Sequence, residues 1–280
     1  MSIELGKVNT LRVNRYVDFG LYLCPEDGEE EVLMPKRYTT SDIRVGDLVD
    51  VFVYNDSEDR MVATTEKPYA KVGEFALLRT KSVSNVGAFL DWGLLKDLLV
   101  PFREQKVRMA SGRSYIVYIY VDDTTNRIVA SAKIDKFLDN KIPSFSPFEE
   151  VDLLVAQRTD LGYKVIINNL FSGMIYHNQI FQDINIGDKL KGHIKTVRYD
   201  GKIDVVLGKN EKNRVMELAD TILSFLASNR GIMHVTDASS PEEIQARFQC
   251  SKKDFKKALG YLFKQHLIDL SDKSCVKSVD

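Results

Sequence analysis

A glycine followed 40 positions later by a basic residue occurs three times in this 280-residue chain, as Gly20–Arg60, Gly87–Arg127 and Gly162–Lys202. Each glycine interrupts a strand-like run, and each basic residue opens another such run just after a turn. A spacing that stays constant over three copies indicates an internal repeat. The sequence therefore predicts one small all-β module, present three times in series.

The three copies also agree away from these anchors. A second glycine opens a further run in each copy that mixes β-branched, aromatic and polar residues, as half-buried strands do: Gly46, Gly112 and Gly187. Together the runs give roughly five strands per copy, the number in an OB-fold barrel. The first glycine suits such a barrel because it permits a sharp bend and a close approach by a neighbouring backbone.

The C-terminal quarter changes from strand to helix patterns. Apolar residues recur at helical spacing over 214–228, and Ser240 and Ser251 each begin a sequence typical of a helix start. A short strand at 232–235 and a hairpin at 267–279 complete the order of a winged helix. The last helix is expected to bury Phe255, Ala258, Leu259, Leu262 and Phe263.

These patterns predict a mainly β protein with an α+β C-terminus. Three tandem OB-fold barrels of five strands are expected at 1–67, 68–140 and 141–209, followed by a winged-helix domain at 210–280. The length of the chain suits several domains.

Composition bounds the class of protein. With 44% hydrophobic and 28% charged residues the chain has an ordinary soluble composition. No apolar run reaches the length of a membrane span, and the N-terminus lacks the apolar core of a signal peptide. Cys24, Cys250 and Cys275 are an odd number at unrelated spacings, which favours a reducing compartment. We therefore expect a cytoplasmic protein without a membrane partner.

The net charge of −1 hides a gradient along the chain. The first 70 residues carry 8 Lys and Arg against 14 Asp and Glu, whereas the three later modules each have a small basic excess. A polyanion is therefore expected to engage the later modules more than the first.

The segments around the first two glycines resemble the strand pair of S1 RNA-binding domains. They read VNRYVDFGLYL over residues 13–23 and VSNVGAFL over 83–90. The segments 59–64 and 126–131 resemble the closing strand of the same family. The resemblance implies an RNA-binding face of aromatic and basic side chains over the central strands.

Residues of this kind are the candidate nucleic-acid contacts in the first two modules: Phe19, Tyr22, Arg60, Phe89, Arg103 and Arg127. Exposed rings stack on unpaired bases, and arginine contacts phosphates or offers a planar surface. The same rings could instead belong to the barrel cores, because an alternating pattern does not fix which face is wet.

The third module departs from the pattern. A leucine precedes its glycine, Lys164 follows two positions later, and His177 is assigned to the turn position of Pro35 and Pro101. His177 is a candidate contact or an exposed turn histidine, and Lys164 and Lys202 are further candidates. This module is expected to act as a spacer or to bind backbone rather than stack bases.

The winged helix carries Lys252, Lys253, Lys256 and Lys257, which are expected on the outer side of its third helix. A recognition helix meets nucleic acid on that side. A solvated lysine face explains them too, and winged helices also serve in protein docking.

The order of three S1-like barrels and a winged helix resembles the bacterial conserved virulence factor B family. The segments SPEEI at 240–244 and SKKDFKKALG at 251–260 resemble that family's C-terminal signature. The resemblance implies RNA binding linked to post-transcriptional regulation of gene expression.

Sequence signatures of catalysis are absent. The chain has no phosphate-binding loop, dinucleotide fingerprint or nucleophile elbow, and its four histidines lack ligand partners at metal-site spacing. Asp56, Glu58 and Asp59 could hold a divalent ion in a nuclease, but an acidic hairpin tip also explains them. We therefore expect no enzyme, cofactor or metal.

The leading hypothesis is a single-stranded RNA-binding regulator. The alternatives are a protein-interaction scaffold and a DNA-binding regulator that acts through the winged helix.

Overall fold

The computed structural model describes residues 2–40, 42–139, 141–146, 148–207, 211–272 and 274–279. The chain divides into two compact units, Met1–Leu138 and Asp139–Asp280. The first unit contains two closed five-stranded barrels, and the second contains a third barrel and a C-terminal helical region. This architecture confirms the predicted fold class. The predicted domain boundaries at 140 and 209 lie outside the described residues.

Barrel 1 closes in the strand order β1-β2-β3-β5-β4. All of its pairings are antiparallel except that of β3 with β5, in which Leu33 lies opposite Val62 in a parallel pair. Its strands are β1 (Val8–Val17), β2 (Gly20–Cys24), β3 (Val32–Pro35), β4 (Leu48–Asn55) and β5 (Met61–Thr64).

Barrels 2 and 3 repeat this order. Barrel 2 consists of β6 (Phe75–Val83), β7 (Gly87–Asp91), β8 (Leu98–Pro101), β9 (Ser114–Asp122) and β10 (Arg127–Ser131). Barrel 3 consists of β11 (Glu150–Arg158), β12 (Gly162–Ile167), β13 (Phe171–Tyr176), β14 (Lys189–Val197) and β15 (Ile203–Val206). A short 3-10 turn follows the third strand in each barrel, at Lys36–Tyr38, Phe102–Glu104 and His177–Gln179.

The repeated glycines bring neighbouring strands together. At Gly20, Gly87 and Gly162, a Cβ would lie closer than 3.0 Å to a backbone carbonyl oxygen of the adjacent third strand. No side chain fits such a gap without moving the strand. The close approach predicted for these glycines is therefore present in all three barrels.

A β-bulge follows the same pattern. It lies in the first strand of each barrel, between Val13 and Arg15, Thr80 and Ser82, and Val155 and Gln157. An added residue on one strand re-aims the side chains beyond it. Beyond the bulge the cross-strand pairs are Arg15 with Tyr22, Ser82 with Phe89, and Gln157 with Lys164.

Barrels 1 and 2 share apolar contacts within the first unit. The Phe52 ring on β4 meets the Trp92 ring edge to face, with centroids 5.8 Å apart. Tyr54 and Val62 of barrel 1 belong to the same buried cluster as the core of barrel 2. Burial of these large side chains stabilises the pair of barrels.

The helical region has the predicted order. Its elements are α1 (Glu211–Ser228), β16 (Ile232–Met233), α2 (Pro241–Phe248), α3 (Lys252–Lys264), β17 (Ile268–Asp269) and β18 (Val276–Ser278). The strands form one sheet in the order β16-β18-β17. The Ser240 and Ser251 hydroxyls accept bonds from the backbone N–H groups of Glu243 and Asp254, so both predicted N-caps are present.

One core prediction is wrong. Phe263 is 51% exposed, whereas Phe255, Ala258, Leu259 and Leu262 are buried. Each residue turns an α-helix by about 100°, so Phe263 points away from the stripe that ends at Leu262. None of the described helices is long and apolar enough to cross a membrane.

Candidate nucleic-acid interface

A concave groove lies on barrel 1 over strands β2 and β3, beside the turn that joins β4 to β5. Its volume is about 680 Å³. This is the side of an OB-fold barrel that receives oligonucleotides in proteins of that fold. Its lining includes Phe19, Tyr22, Leu33, Pro35, Arg37, Asp56, Arg60 and Val62. The groove therefore brings together the three residues predicted for the first module.

The two rings differ in what they offer. Phe19 is 57% exposed and stands edge to face with Tyr22, with ring centroids 6.5 Å apart. The Arg15 guanidinium lies 4.0 Å from the centre of the half-buried Tyr22 ring. Glu31 holds that guanidinium through a 2.7 Å ion pair. One face of Tyr22 is thus covered from within the protein, while Phe19 presents its ring to solvent.

Arg60 is engaged by carboxylates of its own turn. Its guanidinium bonds Asp56 at 2.8 Å and Glu58 at 2.9 Å. The bond to Asp56 raises the pKa of Arg60. Partial burial works against ionisation of Asp56, but the bonds from Arg60 outweigh it and lower the pKa of that carboxyl. A nucleic-acid phosphate at Arg60 would have to replace these carboxylates.

The acidic cluster of this turn has cationic partners. Asp56 and Glu58 pair with Arg60, and Asp59 pairs with Lys96 and Arg127 of barrel 2. Among the described residues, no group of three or more His, Cys, Asp or Glu side chains is arranged to hold a metal ion. Cations of the protein thus engage the three carboxylates of this turn.

Phe89 of barrel 2 takes the position that Tyr22 holds in barrel 1. It is half-buried between Ser82 and Leu99 on the neighbouring strands. A serine replaces the arginine that covers Tyr22. Val86 replaces the exposed ring of Phe19, since it directly precedes Gly87. Barrel 2 therefore offers one ring where barrel 1 has two.

The two predicted arginines of barrel 2 lie in different surroundings. Arg103 is exposed and bonds Asp122 of the same barrel at 2.8 Å. Arg127 bonds Asp59 of barrel 1. Asp122 and Asp59 thus hold both guanidinium groups in ion pairs.

The strand register of barrel 3 corrects the alignment of His177. Gly162 lies opposite Tyr176, as Gly20 lies opposite Pro35 and Gly87 opposite Pro101. Tyr176, rather than His177, therefore occupies the position of the two prolines. The error is one residue, because the spacing from glycine to turn is one residue longer in barrel 1 than in the other two barrels.

His177 begins the 3-10 turn after β13. Its ring stands edge to face with Tyr163 at a centroid distance of 5.7 Å, and its Nε2 atom lies 3.1 Å from the Thr159 carbonyl oxygen. It is exposed. Lys202 bonds Asp200 at 2.8 Å, and Lys164 is half-buried on β12.

Two residues of barrel 3 were missed by the sequence analysis. Arg198 donates to the Tyr176 hydroxyl at 2.7 Å and to Asp204 at 2.8 Å. The bond to Asp204 raises the pKa of Arg198. Tyr199 is 98% exposed in the turn between β14 and β15. An aromatic and a basic residue directly before the Asp200-Gly201 turn were the available signal.

The predicted lysines of α3 form two pairs one helical turn apart, Lys252 with Lys256 and Lys253 with Lys257. The Lys252 ammonium group donates to the Ser239 carbonyl at 2.8 Å, and Lys256 lies 3.7 Å from Asp237. Lys253 and Lys257 are exposed. Lys252 and Lys256 are thus engaged in contacts within the domain.

Comparison with known proteins adds two family matches. The model of the S1 domain matches residues 5–66, and that of the CvfB-like winged helix domain matches residues 220–275. OB-type barrels and winged helices are architectures used for nucleic-acid binding.

Relatives match nearly the whole chain. The protein YitL of Bacillus subtilis (strain 168) is 28% identical over 94% of this chain and 90% of its own length. Conserved virulence factor B of Staphylococcus epidermidis is 20% identical over 96% and 91%, respectively. A crystal structure of a multidomain protein with nucleic acid binding domains from Streptococcus pneumoniae is 23% identical over 98% of both chains, with a TM-score of 0.41. Through the two family matches and these relatives, the chain is similar along nearly its whole length to the conserved virulence factor B proteins.

Proposed function

We propose that this protein binds single-stranded RNA along its barrels and thereby regulates gene expression after transcription. The observation that carries the proposal is the exposed Phe19 ring in a groove rimmed by Arg37 and Arg60. A ring stacks on an unpaired base, while the cations hold the phosphate backbone. A duplex keeps its base faces stacked inside, so this chemistry favours a single strand.

The barrels make different contacts with the strand because their side chains differ. Barrels 1 and 2 offer Phe19 and Phe89 for stacking. Barrel 3 has a lysine where the others have a ring, and Lys202 lies where they have arginine. Barrel 3 therefore holds the backbone of the strand. Several weak sites on one chain give tight overall binding, because each bound site raises the local concentration for the next.

The regulatory part of the proposal follows from the family. The resemblance to conserved virulence factor B proteins implies control of gene expression at the RNA level, and the winged helix supplies a surface for a phosphate backbone or a partner protein. A protein that captures selected transcripts in this way needs no catalytic group, and its affinity depends on salt.

The test is a salt titration of binding to a single-stranded oligouridylate and to a duplex of the same length. The single strand should bind more tightly, and Phe19→Ala should weaken its binding by about 1–3 kcal/mol. Leu161→Ala is the matched control, because Leu161 precedes its glycine in barrel 3 as Phe19 does in barrel 1 and is also exposed. Equal binding by the Phe19 and Leu161 variants would remove stacking from the proposal, and no binding by the native protein would favour a protein-interaction scaffold.

A further inference from the structure

The turn between β4 and β5 of barrel 1 is bonded to barrel 2. The Asp59 carboxylate contacts the Lys96 ammonium group at 3.3 Å and the Arg127 guanidinium through its other oxygen. The Lys96 ammonium group also donates to the Asp56 carbonyl at 2.6 Å. One carboxylate thus joins two cations that lie 31 residues apart in the sequence of barrel 2.

Both sides of this contact are held in place. Asp56 Oδ1 accepts from the backbone N–H groups of Glu58 and Arg60, and Asp59 has a φ of 63°, in the left-handed region that Asp tolerates. On barrel 2, the buried Trp92 ring donates to the Lys96 carbonyl at 2.6 Å. The backbone positions of Asp59 and Lys96 are therefore set by the fold.

The contact lies where the rims of two ligand surfaces meet. Arg60 lines the groove of barrel 1 and directly precedes β5. Arg127 opens β10, the corresponding strand of barrel 2, and so stands on the equivalent rim. This turn therefore joins the rim of the barrel 1 groove, at Arg60, to the equivalent position of barrel 2, at Arg127.

We propose that Lys96 and Arg127 form a binding site for the backbone phosphates of a nucleic-acid strand that spans barrels 1 and 2. In the free protein Asp59 occupies this site in place of a phosphate. A carboxylate and a phosphodiester each share one negative charge between two oxygens, so a phosphate can take the place of the carboxylate between the same two cations. The inference rests on the proposed function, since it needs a strand in the groove of barrel 1.

The exchange is physically accessible. Side-chain exposure is 53% for Arg127, 38% for Asp59 and 33% for Lys96, so a phosphate reaches all three without unfolding. Exposed ion pairs contribute little to stability, and their partners exchange readily. The Asp59 carboxylate therefore lowers the affinity of the Lys96–Arg127 site for other polyanions. A strand that is already bound to both barrels displaces this carboxylate.

The experiment compares Asp59→Asn with the native protein on single-stranded oligouridylates of about five and about twelve nucleotides, which suit one and two barrels. The variant should bind the longer strand about tenfold more tightly at physiological salt and the shorter strand equally.

Two further variants make the result specific. Asp152→Asn changes the net charge equally but removes an exposed partner of Lys191 on barrel 3, and it should not show the length-dependent gain. Arg127→Gln should weaken binding of the longer strand in the native protein, where the strand displaces Asp59, and should remove much of the gain in the Asp59→Asn background. Thermal unfolding of each variant checks that the barrels remain folded.

The outcomes separate the two proposals. If the native protein binds RNA and Asp59→Asn binds the longer strand no more tightly, the phosphate site at Lys96 and Arg127 is overturned and the proposed function stands. A gain that is the same for both strand lengths, or is matched by Asp152→Asn, also overturns it. If neither the native protein nor the variant binds either strand, both proposals are overturned.

Discussion

Barrel 1 and barrel 3 share one strand order and one glycine position, yet their ligand surfaces consist of different chemistry. In barrel 1, Tyr22 and the apolar Val62 lie on the groove between β2, β3 and β5. At the corresponding register positions barrel 3 has Lys164 and Asp204. The backbone was kept while the side chains at these two positions changed from aromatic and apolar to charged.

The charged residues of barrel 3 changed together. Asp56 of barrel 1 and Arg198 of barrel 3 hold equivalent turn positions, since each donates its N–H group to the carbonyl of the basic residue that closes the turn. Arg198 pairs with Asp204 on the fifth strand, while Asp200 in the turn pairs with Lys202. A half-buried charge needs such a partner. The same barrel fold therefore carries an aromatic surface in barrel 1 and an ionic surface in barrel 3.

The largest effect should come from the glycines that the barrels share. Gly20→Ala and Gly162→Ala should each destabilise the barrel concerned by about 3 kcal/mol, at the upper end of overpacking costs, because the new methyl group meets a backbone carbonyl. Urea unfolding followed by circular dichroism measures this. In Gly260→Ala the methyl group meets open space within helix α3, so that control should gain up to about 1 kcal/mol. An unchanged free energy of unfolding in Gly162→Ala would contradict the claim that barrels 1 and 3 share this close backbone approach.

A smaller effect should come from exchanging the residues that distinguish the surfaces. Lys164→Tyr should reduce the salt dependence of RNA binding by about 0.7, the value of one phosphate contact to a single strand. Tyr22→Lys should increase it by a similar amount. The measurement is the slope of log affinity against log salt concentration. Slopes that stay unchanged in both variants would contradict the division between stacking and backbone contact.

The smallest effect concerns the Arg15 cover over Tyr22, which barrel 3 lacks because Gln157 stands there. The bonds from Arg15 and Asn14 lower the pKa of Glu31 below its usual 4.5. The stability from this ionised group is therefore present above pH 4.5 and is lost as the pH falls through the lowered pKa. Glu31→Gln should remove this part of the acid sensitivity of barrel 1, as seen in melting temperatures measured at neutral pH and in buffers below pH 4.5. Identical pH profiles for variant and native protein would show that the pair adds nothing.

The outcome for individual residues shows how far sequence reasoning reaches. The glycines, the three five-stranded modules and the helix starts at Ser240 and Ser251 were predictable, because each follows from local spacing and backbone chemistry. His177 was misplaced by one residue, since only strand pairing shows which residue faces Gly162. Phe263 was assigned to the core because its spacing from Leu259 fits a helical stripe, but the sheet and the other helices do not reach it.

The sequence alone determined that this chain has three barrels of one kind and a different C-terminal domain, because repeat spacing and hydrophobic period are properties of near neighbours in the chain. The tertiary structure decided which rings are covered and which cations are engaged. Arg15 lies on Tyr22, and Arg127 meets Asp59 from a position 68 residues away. Such contacts act only over a few ångströms, so they depend on how closed barrels bring distant turns together and leave no trace in local sequence patterns.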